Sequence, residues 1–168
     1  VKAKRPKQIP LSFGQQRLWF FEQANPDSVA NNMSAGIRIR GVLNITAMKA
    51  VFVELVKRHD SLRTNFSMDA DGVPFQQVSD AVDFNVEYSD IQGDSESHQI
   101  AIEKQLDFEI NDIFDLVTGA LLRAKLIALT STLSLDGTEK VMLKQSVNCE
   151  GEVSCEDHVL IIGMHHII

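Results

Sequence analysis

The apolar run from His158 to Ile168 constrains the fold of this chain more than any other feature of its sequence. Apolar residues follow one another in it almost without interruption, whereas a strand with one wet face alternates apolar and polar side chains. The run therefore predicts a central strand that is covered on both faces. A sheet covered in this way needs further layers packed on it, so we expect a layered fold.

Three helices are predicted from capping signals. Ser12 and Gln15 have the spacing of a capping box that begins a first helix, which ends before Pro26. Asn44 caps a second helix, and Asp94 or Ser95 opens a third. The apolar face predicted for the second helix consists of Met48, Val51, Phe52, Leu55 and Val56, with Lys49, Glu54 and Lys57 outside it. In the third helix Ile102 and Leu106 share one face.

Alternating segments between these helices predict further strands. They are Ile37–Arg40, Phe66–Met68, Val73–Val78, Phe84–Tyr88 and Leu121–Leu129. The second and third form a hairpin around Asp71-Gly72, and Pro74 places the latter strand at an edge or at its start. A hairpin excursion is expected from Thr130 to Asp157. The mixture predicts an α/β (α+β) layered sandwich with a mixed sheet and helices packed on it.

Composition narrows the classes of function. The chain has 168 residues, 44% of them hydrophobic, and a formal net charge of -7. This size fits one domain, which we place at residues 11–168 after a linker at residues 1–10 that carries Lys2, Lys4, Arg5 and Lys7. The acidic balance argues against binding to nucleic acid or to an anionic membrane. No apolar run reaches the roughly 18 residues that span a bilayer, and no signal peptide is evident, so we expect a cytoplasmic protein.

The two cysteines do not predict a disulfide or a metal site. Cys149 and Cys155 are separated by five residues, and only His158 lies near them in sequence. Thiols stay reduced in the cytosol, and this spacing matches no recognised zinc ligand set. We expect no metal and no directly bound cofactor.

His165 and His166 are the candidates for chemistry. Adjacent side chains on a regular strand point to opposite faces, so at most one of the two rings can enter a given pocket. An imidazole has an unperturbed pKa of about 6.5 and can accept a proton from an attacking amine or hydroxyl. Taken alone, the pair fits a structural role for both rings as well as it fits a catalytic role for one of them. The sequence contains no nucleophile elbow, phosphate-binding loop or dinucleotide fingerprint, and no carboxylate pair stands out.

Several segments together resemble a known family, the condensation domains of nonribosomal peptide synthetases. Ser12–Trp19 is similar to their first core motif and Arg58–Phe66 to their second. Met164–Ile168 resembles the opening of the third, the active-site motif His-His-x-x-x-Asp-Gly. Phe114–Leu116 and Gly119–Arg123 resemble the stretch between the second and third motifs. The order of the segments along the chain is that of the family.

The resemblance implies a fold and a reaction. The chain is expected to be the amino-terminal lobe of a two-lobed domain similar to chloramphenicol acetyltransferase, cut within the third motif and inactive alone. In such domains the active site lies in a tunnel between the lobes. There a donor acyl or peptidyl thioester is joined to the amine of an acceptor aminoacyl thioester. The substrates are carried on 4′-phosphopantetheine of upstream and downstream peptidyl carrier proteins, and the missing carboxy-terminal lobe and adjacent synthetase domains are the other expected partners.

The resemblance also assigns roles to individual residues. His166 is expected to face the tunnel as the catalytic residue, and His165 to be structural. Arg63 matches an arginine that pairs with the aspartate of the third motif, which would lie two residues past Ile168, so we expect Arg63 to lack its partner here. Arg17 is expected to support the site by packing within the lobe.

Three alternatives remain open. An epimerisation-type relative keeps both histidines, whereas heterocyclisation relatives use an aspartate-based motif and are disfavoured. A free-standing acyltransferase that uses coenzyme A would need no carrier protein. A carrier-protein docking module would use neither histidine chemically. One departure from the family is Gly14, where alanine is usual; this change costs at most about 1 kcal/mol of helix propensity.

Overall fold

The computed structural model describes residues 6–135, 139–142, 146–147, 153–154 and 157–168. The basic residues Lys2, Lys4 and Arg5 and both cysteines, Cys149 and Cys155, lie outside these ranges, so the expectations about the linker charge and the thiols are not addressed by them. The helices are α1 (Phe13–Ala24), α2 (Ile45–Arg58) and α3 (Ser95–Asn111), with a short 3₁₀-helix at Asp60–Arg63. The strands are β1 (Ile9–Pro10), β2 (Asn32–Arg40), β3 (Thr64–Met68), β4 (Pro74–Val78), β5 (Glu87–Gly93), β6 (Leu122–Leu135), β7 (Glu139–Met142), β8 (Ser146–Val147), β9 (Val153–Ser154) and β10 (Asp157–His165).

All three helices begin at the predicted caps. The Ser12 hydroxyl accepts the backbone N–H of Gln15 at 3.2 Å, and the Gln15 side chain accepts the backbone N–H of Ser12 at 3.0 Å. The carboxamide of Asn44 and the carboxylate of Asp94 each accept a backbone N–H three residues later, both at 2.8 Å. These contacts satisfy donors that have no partner inside the helix.

The apolar face predicted for α2 is partly wrong. Phe52 and Val56 are buried and Met48 packs against the cluster that contains Phe52, but Val51 is 53% and Leu55 40% exposed. The residues of α2 that reach the sheet are three or four positions apart, so they lie on one face of the helix. Val51 and Leu55 fall to the side of that face, so burial follows the geometry of the contact rather than hydrophobicity alone.

The main sheet has the order β2-β10-β6-β5, with β7 pairing to β6. β10 lies between β2 and β6 and is antiparallel to both, which confirms the predicted central strand, but the strand ends at His165 and not at Ile168. β5 runs parallel to β6, and α3 connects them as a βαβ unit. One face of the sheet packs on α2 through a cluster of Phe52, Val86, Ala124, Leu126 and Leu160. The other face packs on α3 through a cluster of Ile127, Leu129, Val159 and Ile161, with Ile102 and Leu106 of α3.

The strand predicted at Phe84–Tyr88 is displaced along the chain. Its ladder with β6 starts at Glu87 and continues to Gly93. Val86 is fully buried, and Phe84 stacks on Phe52 with ring centroids 6.2 Å apart. The alternation of Phe84 and Val86 therefore marks a segment that packs on α2 before the strand begins.

A second sheet of order β1-β4-β3 contains the predicted hairpin. Gly72 has a φ of 79° in its turn, a conformation that favours glycine. Pro74 is the first residue of β4 and so costs no ladder hydrogen bond inside the strand. A third apolar cluster joins this sheet and α1 to the end of β10, and consists of Leu11, Trp19, Phe66, Phe114, Leu116, Leu121 and Ile167.

The expected excursion begins later than Thr130, because β6 continues to Leu135. Its described parts are β7, which pairs antiparallel with β6, and the antiparallel pair of β8 and β9. Within the part of the chain that the structure describes, none of the helices is long and apolar enough to cross a bilayer.

Candidate active site at the end of the central strand

The two histidines lie where β10 ends. His165 is its last residue, and His166 and Ile167 form a turn; we call His165–Ile168 the His turn. His165 is 3% exposed, whereas His166 is exposed. The two rings do diverge as expected, but alternation along a regular strand is not the reason. The strand stops, and the turn carries the second ring out of the core.

The backbone of the His turn is hydrogen-bonded to three other segments of the chain. The His165 N–H donates to the carbonyl of Leu121 at 3.1 Å, and the His166 N–H donates to the carbonyl of Asn31 at 2.9 Å. The Gln15 side chain of α1 donates to the carbonyl of Ile167 at 3.4 Å. The Ile167 side chain is buried in the third apolar cluster. The His166 ring is thus presented to solvent from a backbone that is held on both sides.

The hydrogen bonds of His165 define its tautomer. Its Nδ1 accepts the backbone N–H of Ile167 at 3.2 Å, so the ring proton resides on Nε2, which lies 3.4 Å from Oε1 of Glu22. Burial lowers the pKa of His165, and the nearby Glu22 carboxylate opposes this only in part. The edge of the ring meets Phe114, with centroids 6.0 Å apart. His165 is therefore a neutral, packed imidazole.

Phe114 is itself held by a charged group. The guanidinium of Arg123 lies over its ring at 3.8 Å, a cation–π contact. Arg123 binds the Asp112 carboxylate at 2.7 Å and the Ile113 carbonyl at 2.8 Å, and its Nη1 is 3.4 Å from Oε1 of Glu109. This arrangement fixes the wall against which His165 packs.

Arg63 was expected to lack the aspartate of the third motif as its partner, and in this chain it contacts other groups. Its guanidinium forms an ion pair with Asp60 and donates to the carbonyl of Ser79, and Nη2 lies 3.4 Å from the carbonyl of Lys57. Its Nε is buried and has no hydrogen-bond partner. The charge of the guanidinium is therefore compensated by groups close to it in the fold.

Arg63 and His166 do not share either of the two clefts that Arg63 lines. These clefts have volumes of about 250 Å³ and 480 Å³, and His166 lines neither. Arg17 is exposed on α1, so the expected packing role is not seen for it, while its neighbour Trp19 is buried in the core. Among the residues that the structure describes, no group of three or more metal-ligating side chains is gathered.

Two residues that contact the His turn were missed by sequence reasoning. Glu22 contacts the His165 ring, and Asn31 accepts the His166 N–H. A signal for Glu22 does exist, since it follows the buried Trp19 by three residues and so lies on the inward face of α1. No local pattern marks Asn31.

Comparison with known proteins agrees with the fold and with the family that the sequence resembles. The family model described as "Condensation domain" matches residues 6–134. A linear gramicidin synthase protein from Brevibacillus parabrevis is 34% identical over 169 residues, a match that covers 100% of this chain and 2% of that protein. A plipastatin synthase protein from Bacillus subtilis (strain 168) is 30% identical over 166 residues, covering 99% of this chain and 5% of that protein.

A solved structure supports the same assignment at the level of fold. The starter condensation domain of rhizomide synthetase RzmA superposes with a TM-score of 0.68 at 18% identity, covering 96% of this chain and 33% of that one. This confirms the expected chloramphenicol acetyltransferase-like α/β fold. The chain thus spans about a third of that solved domain and a few per cent of the curated relatives. It belongs to the condensation-domain family of nonribosomal peptide synthetases and corresponds to the amino-terminal lobe.

Proposed function

We propose that this chain supplies the histidine-bearing lobe of a condensation domain that forms an amide bond. The donor is an acyl or peptidyl thioester, and the acceptor is the amine of an aminoacyl thioester. The new bond joins the amine nitrogen to the thioester carbon, the carbon–sulfur bond breaks, and the amine proton ends on the departing thiol. The observation that supports this most is the exposed His166 ring on a fixed backbone, next to a His165 that is buried and neutral.

His166 is the proposed catalytic residue because its ring is the one free to meet a substrate. A thioester is already activated, so the site chiefly has to hold two substrates in attacking geometry and accept one proton. General base catalysis contributes typically about 100- to 10,000-fold in rate. A smaller effect would indicate that His166 orients the amine rather than deprotonates it. His165 and Arg63 are proposed to support the site through packing and ion pairing, and Arg17 is also proposed to support it.

The proposed substrates are presented by carrier proteins. The curated relatives are synthetase proteins many times longer than this chain. We infer that upstream and downstream peptidyl carrier proteins deliver the thioesters on 4′-phosphopantetheine in the cytoplasm, and that a second lobe completes the tunnel. Ile9 and Pro10 of the expected linker form β1 and pair with β4, so the segment that would join this lobe to a neighbouring synthetase domain is the part before β1. The isolated chain is expected to form no product.

The test uses the complete condensation domain with two loaded carrier proteins under single-turnover conditions. His166→Ala is expected to lower the rate of amide formation by about 100-fold or more. His98→Gln is the matched control, because it removes another imidazole, which contacts the Thr130 carbonyl at the far end of β6. It is expected to keep the rate per folded molecule. Full activity of a folded His166→Ala domain would refute the proposed role of His166.

Two further arms separate the alternatives. An acyl-coenzyme A donor offered without carrier protein should give no product; efficient acylation would favour a free-standing acyltransferase. Inversion of the acceptor stereocentre without amide formation would favour an epimerisation-type domain. Carrier binding without either reaction would favour a docking module.

A further inference from the structure

One carboxylate oxygen contacts two of the residues that hold the His turn. Oε1 of Glu22 accepts the side-chain amide N–H of Asn31 at 2.5 Å and lies 3.4 Å from Nε2 of His165. Glu22 is in the last two turns of α1, and its side chain is 12% exposed. A carboxylate this buried needs donors, and both of its neighbours supply them.

Each of these two neighbours also binds the backbone of the turn. The carbonyl of Asn31 accepts the His166 N–H at 2.9 Å, and Nδ1 of His165 accepts the Ile167 N–H at 3.2 Å. Two separate paths therefore lead from Glu22 to consecutive N–H groups on either side of the His166 side chain. A shift of Glu22 changes both at once.

The tautomer of His165 depends on this arrangement. With the proton on Nε2, the ring donates to Glu22 and accepts from Ile167. With the proton on Nδ1, two donors would face each other at Ile167, and a lone pair would face the carboxylate. Without Glu22, the contact with Ile167 would be left as the single contact that favours this tautomer, so the preference would be weaker.

We propose that Glu22 is a positioning residue that sets the direction of the His166 ring through His165 and Asn31. This inference rests on the proposed role of His166 in amide formation. Glu22 does not itself reach the exposed face of the turn. Its effect is on geometry, and misplacement of a reacting group by about 1 Å can cost roughly 100-fold in rate.

The experiment again uses the complete condensation domain with loaded carrier proteins. Glu22→Ala is expected to lower the single-turnover rate by about 100-fold. Glu22→Gln should retain the rate within about 10-fold, because its amide oxygen can accept the same two donors. Glu54→Ala removes a carboxylate that is exposed on α2 and is the matched control, with no expected change in rate.

A spectroscopic readout separates positioning from general loss of structure. The ¹⁵N spectrum of the His165 imidazole should show the Nε2–H tautomer in the wild type and in Glu22→Gln, and a mixture of tautomers in Glu22→Ala. If Glu22→Ala fails to fold, Glu22→Asp decides, because it keeps the charge but shortens the side chain. Loss of rate with mixed tautomers in Glu22→Asp supports the proposal.

The proposal is overturned if a folded Glu22→Ala or Glu22→Asp domain keeps both the wild-type rate and the single tautomer. It is also overturned if the rate falls while the tautomer is unchanged and Glu22→Gln gives no rescue. Failure of the proposed function gives a different result. In that case His166→Ala stays active, while the tautomer of His165 still responds to Glu22.

Discussion

Gly163 tests how closely α3 packs on the central strand. A Cβ added at Gly163 would lie 2.0 Å from Oε1, 2.6 Å from Cδ and 2.8 Å from Cγ of Glu109. Real Cβ atoms do not approach heavy atoms this closely, so Glu109 must move. The obstructing atoms belong to a flexible side chain, and Arg123 keeps Asp112 as a partner. We therefore expect Gly163→Ala to cost about 1–3 kcal/mol, the range of overpacked cores, rather than to abolish folding.

A second substitution isolates the cause. Glu109→Ala removes Cγ, Cδ and both oxygens, so the added methyl at position 163 no longer meets them. Glycine inside a strand is about 0.5–1 kcal/mol worse than alanine, so Gly163→Ala should be stabilising by that amount in the Glu109→Ala background. The two figures give a coupling free energy of about 1.5–4 kcal/mol.

Urea unfolding of the four chains measures this coupling. With a slope near 2 kcal/mol per molar urea, the single change Gly163→Ala should move the midpoint down by about 0.5–1.5 M. Gly36→Ala is a graded control, because its Cβ would lie 3.3 Å from a methyl group of Leu106 that can give way. Equal costs of Gly163→Ala with and without Glu109 would refute the reasoning, since the penalty would then lie in the strand itself.

Three other sites test a glycine inside a helix, a helix cap and a buried histidine. Gly14→Ala should raise the free energy of unfolding by up to about 1 kcal/mol, because the added Cβ meets only Ser12 Oγ at 4.0 Å; a lower urea midpoint would contradict this. Ser12→Ala removes the acceptor of the Gln15 N–H and should cost about 1 kcal/mol, whereas Ser12→Asp should restore the cap. Burial lowers the pKa of His158, so below pH 6.5 the unfolded chain binds a proton more readily than the folded chain. The free energy of unfolding is therefore highest above pH 6.5 and decreases as the pH falls below that value. His158→Leu should flatten the stability profile between pH 7 and pH 5, and an unchanged profile would show that this ring does not titrate on unfolding.

The elements that sequence predicted carry their signals locally. Each helix cap is a side chain that accepts a backbone N–H three residues later, as Ser12, Asn44 and Asp94 do. A short stretch of sequence is therefore enough to predict the cap. The central strand is similar, because β10 is buried on both faces and shows no alternation. Such features depend little on the rest of the chain.

The features that were not predicted from the sequence depend on residues that are distant along the chain. Val86 reads as part of a strand, but its burial comes from α2, and the ladder with β6 starts one residue later. Val51 and Leu55 fit the helical period but lie beside the contact with the sheet. Arg63 finds Asp60 three residues before it, but its second acceptor is the carbonyl of Ser79 across the hairpin. Periodicity fixes which residues can share a face, and the packing decides how wide that face is.

The difference in burial between the two histidines follows from the residues around them. His165 and Ile167 are both 3% exposed, and the side chain between them is exposed. Burial of the Ile167 side chain returns the chain to the core after one residue, so His166 is forced outward with its N–H bound to Asn31. Burying the first imidazole costs free energy, which its two hydrogen bonds offset, and the buried ring accepts the N–H of Ile167 and closes the turn. An adjacent pair of histidines at the end of a buried strand thus produces one rigid neutral ring and one exposed ring. This asymmetry comes from where the strand ends and does not require two different residue types.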